Sequence, residues 1–258
     1  MNTTKESNSV IKAMTLNTQC WNVTETRLVN LPAMVRKYMP DLLGVQEATP
    51  RWMSTLRDAL PEYEGVGVGR NADLGGEHSA VFFRKDKFTL IKSDTKWLSL
   101  TPCVSGSKLE ESHYIRVATY AILERKSDKK RFMHLNTHLD SCNISCKQIA
   151  IMLELLEEWN TEELPIVLTG DFNFNPDTPN YQMYLDAGFE NSLIHAKETS
   201  EKTDDTVFPV TTLDGWKFDY IFVKADRFEV STHRVCTEKI NGEYVSDHYP
   251  VYAEITLL

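Results

Sequence analysis

Ten apolar stretches of strand length run from one end of this chain to the other, and five of them begin or end beside a carboxylate, an amide or an imidazole. They are Ala13–Thr18, Leu42–Gln46, Ala80–Arg84, Phe88–Lys92, Val117–Glu124, Phe132–Thr137, Ile166–Thr169, Asp219–Val223, Phe228–Arg234 and Val251–Thr256. Helical stretches separate some of these and not others. A strict βαβ barrel needs a helix after every strand, so the uneven spacing points to a layered α/β domain with mixed sheets. Val223 and Phe228 are close enough in sequence for a hairpin-like connection.

Capping residues mark the helices. Asn30 is placed to cap a helix whose Leu31, Met34, Val35 and Tyr38 share one face. Thr49-Pro50 and Thr178-Pro179 are each a cap followed by proline at the first helical position, and Gly188 supplies a stop for the second. Ile149, Met152, Leu153 and Leu156 give the stretch from Gln148 to Trp159 an apolar stripe.

No repeat, low-complexity tract or Pro/Gly/Ser linker divides the 258 residues, so residues 13–258 read as one domain. Residues 1–12 are polar and lack an apolar core segment, which reads as a disordered lead-in rather than a signal peptide. No apolar run approaches the roughly 18 residues a membrane span needs. Five cysteines, an odd and low count, fit a reducing compartment, so a cytoplasmic location is expected. Cys142 and Cys146 could share a helix face, yet no second ligand pair at zinc spacing accompanies them, and two reduced thiols are the simpler reading. The net charge of −9 gives no sign of the basic face that binding to long nucleic acids requires. Nothing in the sequence marks an obligate protein partner.

The polar strand ends carry the chemistry. Leu42–Gln46 runs into Glu47, Met133–Thr137 into His138, and Ile166–Gly170 into Asp171 with Asn173 two residues on. Asp219 opens a strand, and Ser246-Asp247-His248 precedes the last one. α/β sheets place ligand sites at such ends. One acid after a strand is ordinarily a solvated turn; five suited residues in one chain are harder to assign to turns. Carboxylate and amide oxygens are hard ligands, which favours Mg²⁺ or Mn²⁺ over zinc.

Val45-Gln46-Glu47, Asn136-Thr137-His138-Leu139-Asp140, Gly170-Asp171-Phe172-Asn173 and Ser246-Asp247-His248, in this order, resemble the endonuclease/exonuclease/phosphatase superfamily, the group related to deoxyribonuclease I and exonuclease III. Asn17 and Asp219-Tyr220-Ile221 also fit. The resemblance implies a four-layer α/β/β/α sandwich: two packed mixed β-sheets flanked by helices. It implies a metal-dependent phosphodiesterase or phosphatase working by in-line attack of an activated water. Glu47 would bind the metal with support from Asn17, and Asp247 would be a further metal-side carboxylate. Asp171 would orient or deprotonate the water, and Asn173 would hold that water or a phosphate oxygen. His248, oriented by Asp219, would meet the phosphate or assist proton transfer, and His138 would donate to a non-bridging oxygen. Many nuclease members carry an acid two residues after the first asparagine. This chain has Gln19 there, which weakens a second metal position.

Four further residues are candidates for the substrate. Glu77 and His78 follow the Gly75-Gly76 turn and either line the cleft or sit on a solvated loop. Arg116 opens a strand and, by the resemblance, faces the phosphate; a surface ion pair is its alternative. Trp216 stacks on a base or sugar or packs against the fold. The Trp97-Leu98-Ser99 segment and Phe83 read as scaffold. The substrate is then a phosphate ester, either a small molecule or a short nucleic acid. The rival readings are a nuclease acting on short DNA or RNA, and a binding module on the same fold without activity.

Overall fold

The computed structural model describes residues 10–141, 144–199, 205–207, 216–224 and 226–258. Residues 1–9 of the expected lead-in, and Cys142, lie outside the described residues. Val10, Ile11 and Lys12 belong to the first strand instead.

Among the described residues thirteen strands form two sheets. The first sheet has the order β10-β12-β13-β1-β2-β4-β3. Its members are β1 (Val10–Asn17), β2 (Leu42–Ala48), β3 (Tyr63–Val66), β4 (His78–Arg84), β10 (Glu198–Thr199), β12 (Phe228–Val235) and β13 (Val251–Leu257). The second has the order β5-β6-β7-β8-β11-β9. It contains β5 (Phe88–Trp97), β6 (Val117–Arg125), β7 (Arg131–His138), β8 (Ile166–Asp171), β9 (Phe189–Asn191) and β11 (Asp219–Lys224). Both sheets are mixed: β1–β2 and β7–β8 are parallel pairs, and most other neighbours are antiparallel.

Three apolar cores separate four layers. Helices α1 (Glu25–Tyr38) and α2 (Pro50–Ala59) cover the first sheet through Leu31, Met34, Val35, Trp52 and Leu56. Helices α3 (Ile144–Trp159) and α4 (Pro179–Asp186) cover the second through Ile149, Met152, Leu156, Tyr181 and Tyr184. Between the sheets lie Ile11, Val81, Phe83, Phe132, Val167, Ile221 and Ile255. The architecture is the four-layer sandwich. No helix among the described residues is long and apolar enough to cross a membrane.

A polar seam crosses the apolar middle. Gln46 Nε2 donates to Thr15 Oγ1 at 2.9 Å in its own sheet and to Asn136 Oδ1 at 2.7 Å in the other. Asn136 Nδ2 donates to the Val45 and Ala80 carbonyls at 2.9 Å each, and Thr169 Oγ1 donates back to Asn136 Oδ1 at 3.0 Å. Gly44 makes room for it: a Cβ there would lie 2.1 Å from Thr169 Oγ1. Buried polar groups are costly unless paired, and these bonds pair most of the set across the sheet interface, leaving Gln46 Oε1 without a partner.

Two sequence expectations are corrected. The α1 cap is Thr24, whose side chain accepts from Arg27 N, while Asn30 lies within the helix and donates to the Ile240 carbonyl. The helix runs through Pro32 despite its missing amide. Val223 to Phe228 is no hairpin: β11 pairs with β8 and β9, whereas β12 pairs with β13 and β10. Ile221 and Val230 both face the core between the sheets, so this connection carries the chain across it. The Thr49 and Thr178 caps and the turn at Gly188, with φ +76°, stand as read.

Candidate active site

Strand register builds the site. In the second sheet His138 pairs with Asp171 across β7–β8, and Asp171 pairs with Asp219 across β8–β11, so three ionisable residues stand in one row. In the first sheet Asn17 ends β1 and pairs with Gln46, one residue before Glu47. The ends of both sheets meet at one edge of the sandwich, and Asn17 joins them. Its Nδ2 donates to Glu47 Oε1 at 3.2 Å and to Asp171 Oδ2 at 2.9 Å. Its oxygen accepts from Gln19 N at 2.8 Å.

Two of these residues hold left-handed backbone without being glycine: Glu47 at φ +56° and Asn173 at φ +54°. Such conformations cost free energy and persist where the surroundings over-determine them. Glu47 sits in a bulge, where the β2–β4 register shifts between Val45 and Ala48. Cys20 N then holds Glu47 Oε2 at 2.9 Å. Asn173 N turns back onto Asp171 Oδ1 at 3.1 Å, and its Nδ2 donates to the Leu139 carbonyl and to His138 Nε2.

His248 closes the row from the loop before β13. Its Nδ1 is 2.7 Å from Asp219 Oδ2 and 3.8 Å from Asp171 Oδ2. Burial works against its charge, but the carboxylates of Asp219 and Asp171 outweigh burial and hold the imidazolium up to about 10. Asp171 is pushed the other way: burial, with Asp219 and Glu47 nearby, raises it to about 7 despite His248. His138 is driven well below its ordinary value, first by burial and then by the positive charge of Arg116 and His248.

The donor atoms of Asp171, Asp219 and His248 lie within 4.8 Å of one another. That trio does not make a cation site, because the proton shared between Nδ1 and Asp219 occupies its centre. The edge between Glu47 and Asp171 fits one better. Two carboxylates from the two sheets share the Asn17 amide there, and Asp171, raised first by burial, also feels the charges of Asp219 and Glu47. Hard oxygens around such a point suit Mg²⁺ or Mn²⁺.

A cleft of about 190 Å³ opens over this edge. Arg116 and Glu77 line it, and His78 lines an adjoining space of about 10 Å³. Arg116 is only 7% exposed; its nearest carboxylate, Asp140, is 4.0 Å away, and its Nε has no hydrogen-bond partner. His78 Nδ1 is taken by the Ala48 and Gly76 carbonyls. Asp247 and Trp216 do not line the cleft. Asp247 accepts from Ser246 Oγ at 3.2 Å, and Trp216 stacks on Phe218 with ring centroids 5.7 Å apart.

Sequence reading missed Arg70, Tyr114 and Trp21, which also line the cleft. All three sit on loops that only the tertiary fold brings together. The available signal was Gly67-Val68-Gly69-Arg70 ahead of Gly75-Gly76-Glu77: the glycines let the loop fold back, with Arg70 N bonded to the Glu77 carbonyl at 3.0 Å.

The profile of the Endonuclease/Exonuclease/phosphatase family matches residues 14–248. A member of that family from Bacteroides vulgatus has 27% identity and a TM-score of 0.89, with 96% of this chain and 99% of that one covered. The Bacteroides thetaiotaomicron mannosyl-6-phosphatase has 26% identity and a TM-score of 0.85, covering 95% and 99%. The human Nocturnin catalytic domain, at 20% identity, a TM-score of 0.76 and 97% and 94% coverage, shares the fold. The Drosophila melanogaster protein angel is 26% identical over 162 residues, which span 60% of this chain and only 45% of that protein. The two packed sheets are therefore shared architecture, and this chain belongs to the endonuclease/exonuclease/phosphatase family of phosphoester hydrolases.

Proposed function

We propose that the chain is a divalent-metal-dependent phosphatase or phosphodiesterase that hydrolyses its ester by in-line attack of water. The observation that carries this reading is the row His138–Asp171–Asp219 with His248 closing it and Glu47 facing it from the other sheet. Glu47 would hold the cation, with Asn17 fixing its carboxylate against Asp171. When bound, Mg²⁺ or Mn²⁺ neutralises charge on the phosphoryl oxygens. Asp171, poised near neutrality, takes the proton of the attacking water, and Asn173 orients that water. The His248 imidazolium, kept charged by Asp219, stabilises the growing charge on the phosphoryl group. Arg116 supplies a second cation there. His138 has a smaller part than its motif implies: its Nε2 receives the Asn173 amide, so it holds the asparagine in place.

The relative named mannosyl-6-phosphatase favours a small-molecule ester. A nuclease acting on short DNA or RNA is the second reading, and Trp21, 77% exposed on the cleft rim, supports it as a stacking platform for a base. A substrate panel with Mg²⁺ or Mn²⁺ tests both: p-nitrophenyl phosphate, bis-p-nitrophenyl phosphate, a sugar phosphate and a short oligonucleotide. Turnover of none would leave the non-catalytic reading and overturn this one.

A further inference from the structure

The wall of the cleft opposite the catalytic row is an ion pair. Arg70 Nη2 lies 2.6 Å from Glu77 Oε1, and Nη1 donates to Oε2 at 2.7 Å, a two-point contact. The side chains are only 16% and 14% exposed, and the loop that carries them is tied down. Gly69 N bonds to the Leu74 carbonyl, Asn71 N to the Gly75 carbonyl, and Trp97 Nε1 to the Arg70 carbonyl at 2.6 Å. Arg70 and Arg116 both lie over the Tyr114 ring, at 5.4 and 5.1 Å from its centroid. Behind the pair the space narrows to about 10 Å³. The cleft is narrow on this side.

The donors fit that shape. Arg116 is buried with Nε unpartnered, a costly arrangement that an anion relieves. A terminal phosphate, with three non-bridging oxygens, can be met at once by Arg116, the cation edge and His248. Beyond it, Glu77 offers acceptor lone pairs and Arg70 offers donors, side by side and facing the same space. That combination reads hydroxyl groups, each of which gives and accepts one hydrogen bond. Trp21 on the rim provides a face for a ring.

We infer that the site takes a phosphate monoester of a polyhydroxylated ring, with the Arg70–Glu77 pair reading the leaving group's hydroxyls. This rests on the phosphoester-hydrolase reading above and adds to it the substrate class and two specificity-determining residues. The leaving alcohol departs towards Arg70 and Glu77, while water enters from the side of Asp171 and Asn173. The water oxygen bonds to phosphorus as the ester phosphorus–oxygen bond breaks, the water's proton passes to Asp171, and the departing alkoxide takes a proton from solvent.

The test compares the full chain with the double variant Arg70→Gln/Glu77→Gln, which keeps an amide pair and leaves no lone buried charge, and with the exposed-rim variant Trp21→Ser. Each is assayed with Mg²⁺ on a hexose 6-phosphate and on p-nitrophenyl phosphate, with the melting temperature recorded. The wild type prefers the hexose phosphate over bis-p-nitrophenyl phosphate and a dinucleotide. In the double variant kcat/KM for the hexose phosphate falls at least ~10-fold more than for p-nitrophenyl phosphate, through KM, because a site built to bond hydroxyls loses that discrimination. Trp21→Ser raises KM for the hexose phosphate with kcat little changed. Equal losses on both monoesters, or a wild type that prefers the diester or dinucleotide, overturn the inference while the hydrolase reading stands. Failure to hydrolyse any phosphoester overturns the hydrolase reading itself.

Discussion

Replacing Asp219 by asparagine keeps the shape of the His248 partner and removes its charge. Asp219 Oδ2 sits 2.7 Å from His248 Nδ1 and is a main reason the imidazolium persists up to about 10. Without that carboxylate only Asp171 and Asp247 are left to oppose burial, and the imidazole falls back towards its ordinary value of about 6.5. At pH 8 the protonated fraction then drops from nearly complete to about 3%, a loss of roughly 30-fold. At pH 6 about three quarters of the molecules remain protonated, and little is lost. Asp171 loses the Asp219 charge that raises it and, as His248 deprotonates, the imidazolium that lowers it, and these two changes oppose each other. The ratio of variant to wild-type kcat/KM, measured from pH 6 to pH 8 on p-nitrophenyl phosphate, should therefore fall about 25-fold. A ratio that stays flat across this range would show that Asp219 only orients the ring, and the electrostatic argument would be wrong.

Three other outcomes are expected. Glu47→Gln should raise the Mg²⁺ concentration giving half-maximal rate by about 10-fold or more, with kcat at saturating metal less affected; an unchanged half-saturation point would remove Glu47 from the cation site. Gly44→Ala should cost about 3 kcal/mol or more and lower the melting temperature by roughly 6–12 °C, because its Cβ would meet Thr169 Oγ1 at 2.1 Å and Asn136 Oδ1 at 2.5 Å; a wild-type melting curve would mean the seam can open without penalty. His134 is fully buried and held down to about 3 by burial, so its folded form stays neutral. The stability this group supports is fully present above about pH 6.5 and declines by up to about 1.4 kcal/mol per unit as pH falls towards 3; denaturation of His134→Met across that window should show a shallower acid limb, and an unaltered slope would refute the assignment.

The strands that carry the site were legible because each is an apolar run ended by a polar residue, and the register places those ends together. The short β3, β9 and β10 were not, since two to four residues carry no period. Asn30 misled because a buried amide inside a helix looks like a cap when the apolar spacing is read from the next residue. The left-handed backbone at Glu47 and Asn173 leaves no trace in composition; it comes from the bulge and from hydrogen bonds made by distant residues. Arg70, Tyr114 and Trp21 belong to loops far apart in sequence, so only packing brings them to the cleft. Trp216 stacks on Phe218, the packing alternative that its sequence left open.

The polar seam of Gln46, Asn136 and Thr169 has a consequence for how such a site can change. Apolar faces can slide against one another by small amounts at little cost, whereas hydrogen bonds between sheets engage in one alignment only. Glu47 rides on one sheet and Asp171 on the other, so the seam acts as a locating pin for the two halves of the site. A substitution at the pin can shift the spacing between cation edge and attacking water without touching either. Conversely, the loops over the cleft can be rebuilt for a new leaving group while the pin keeps the chemistry in register.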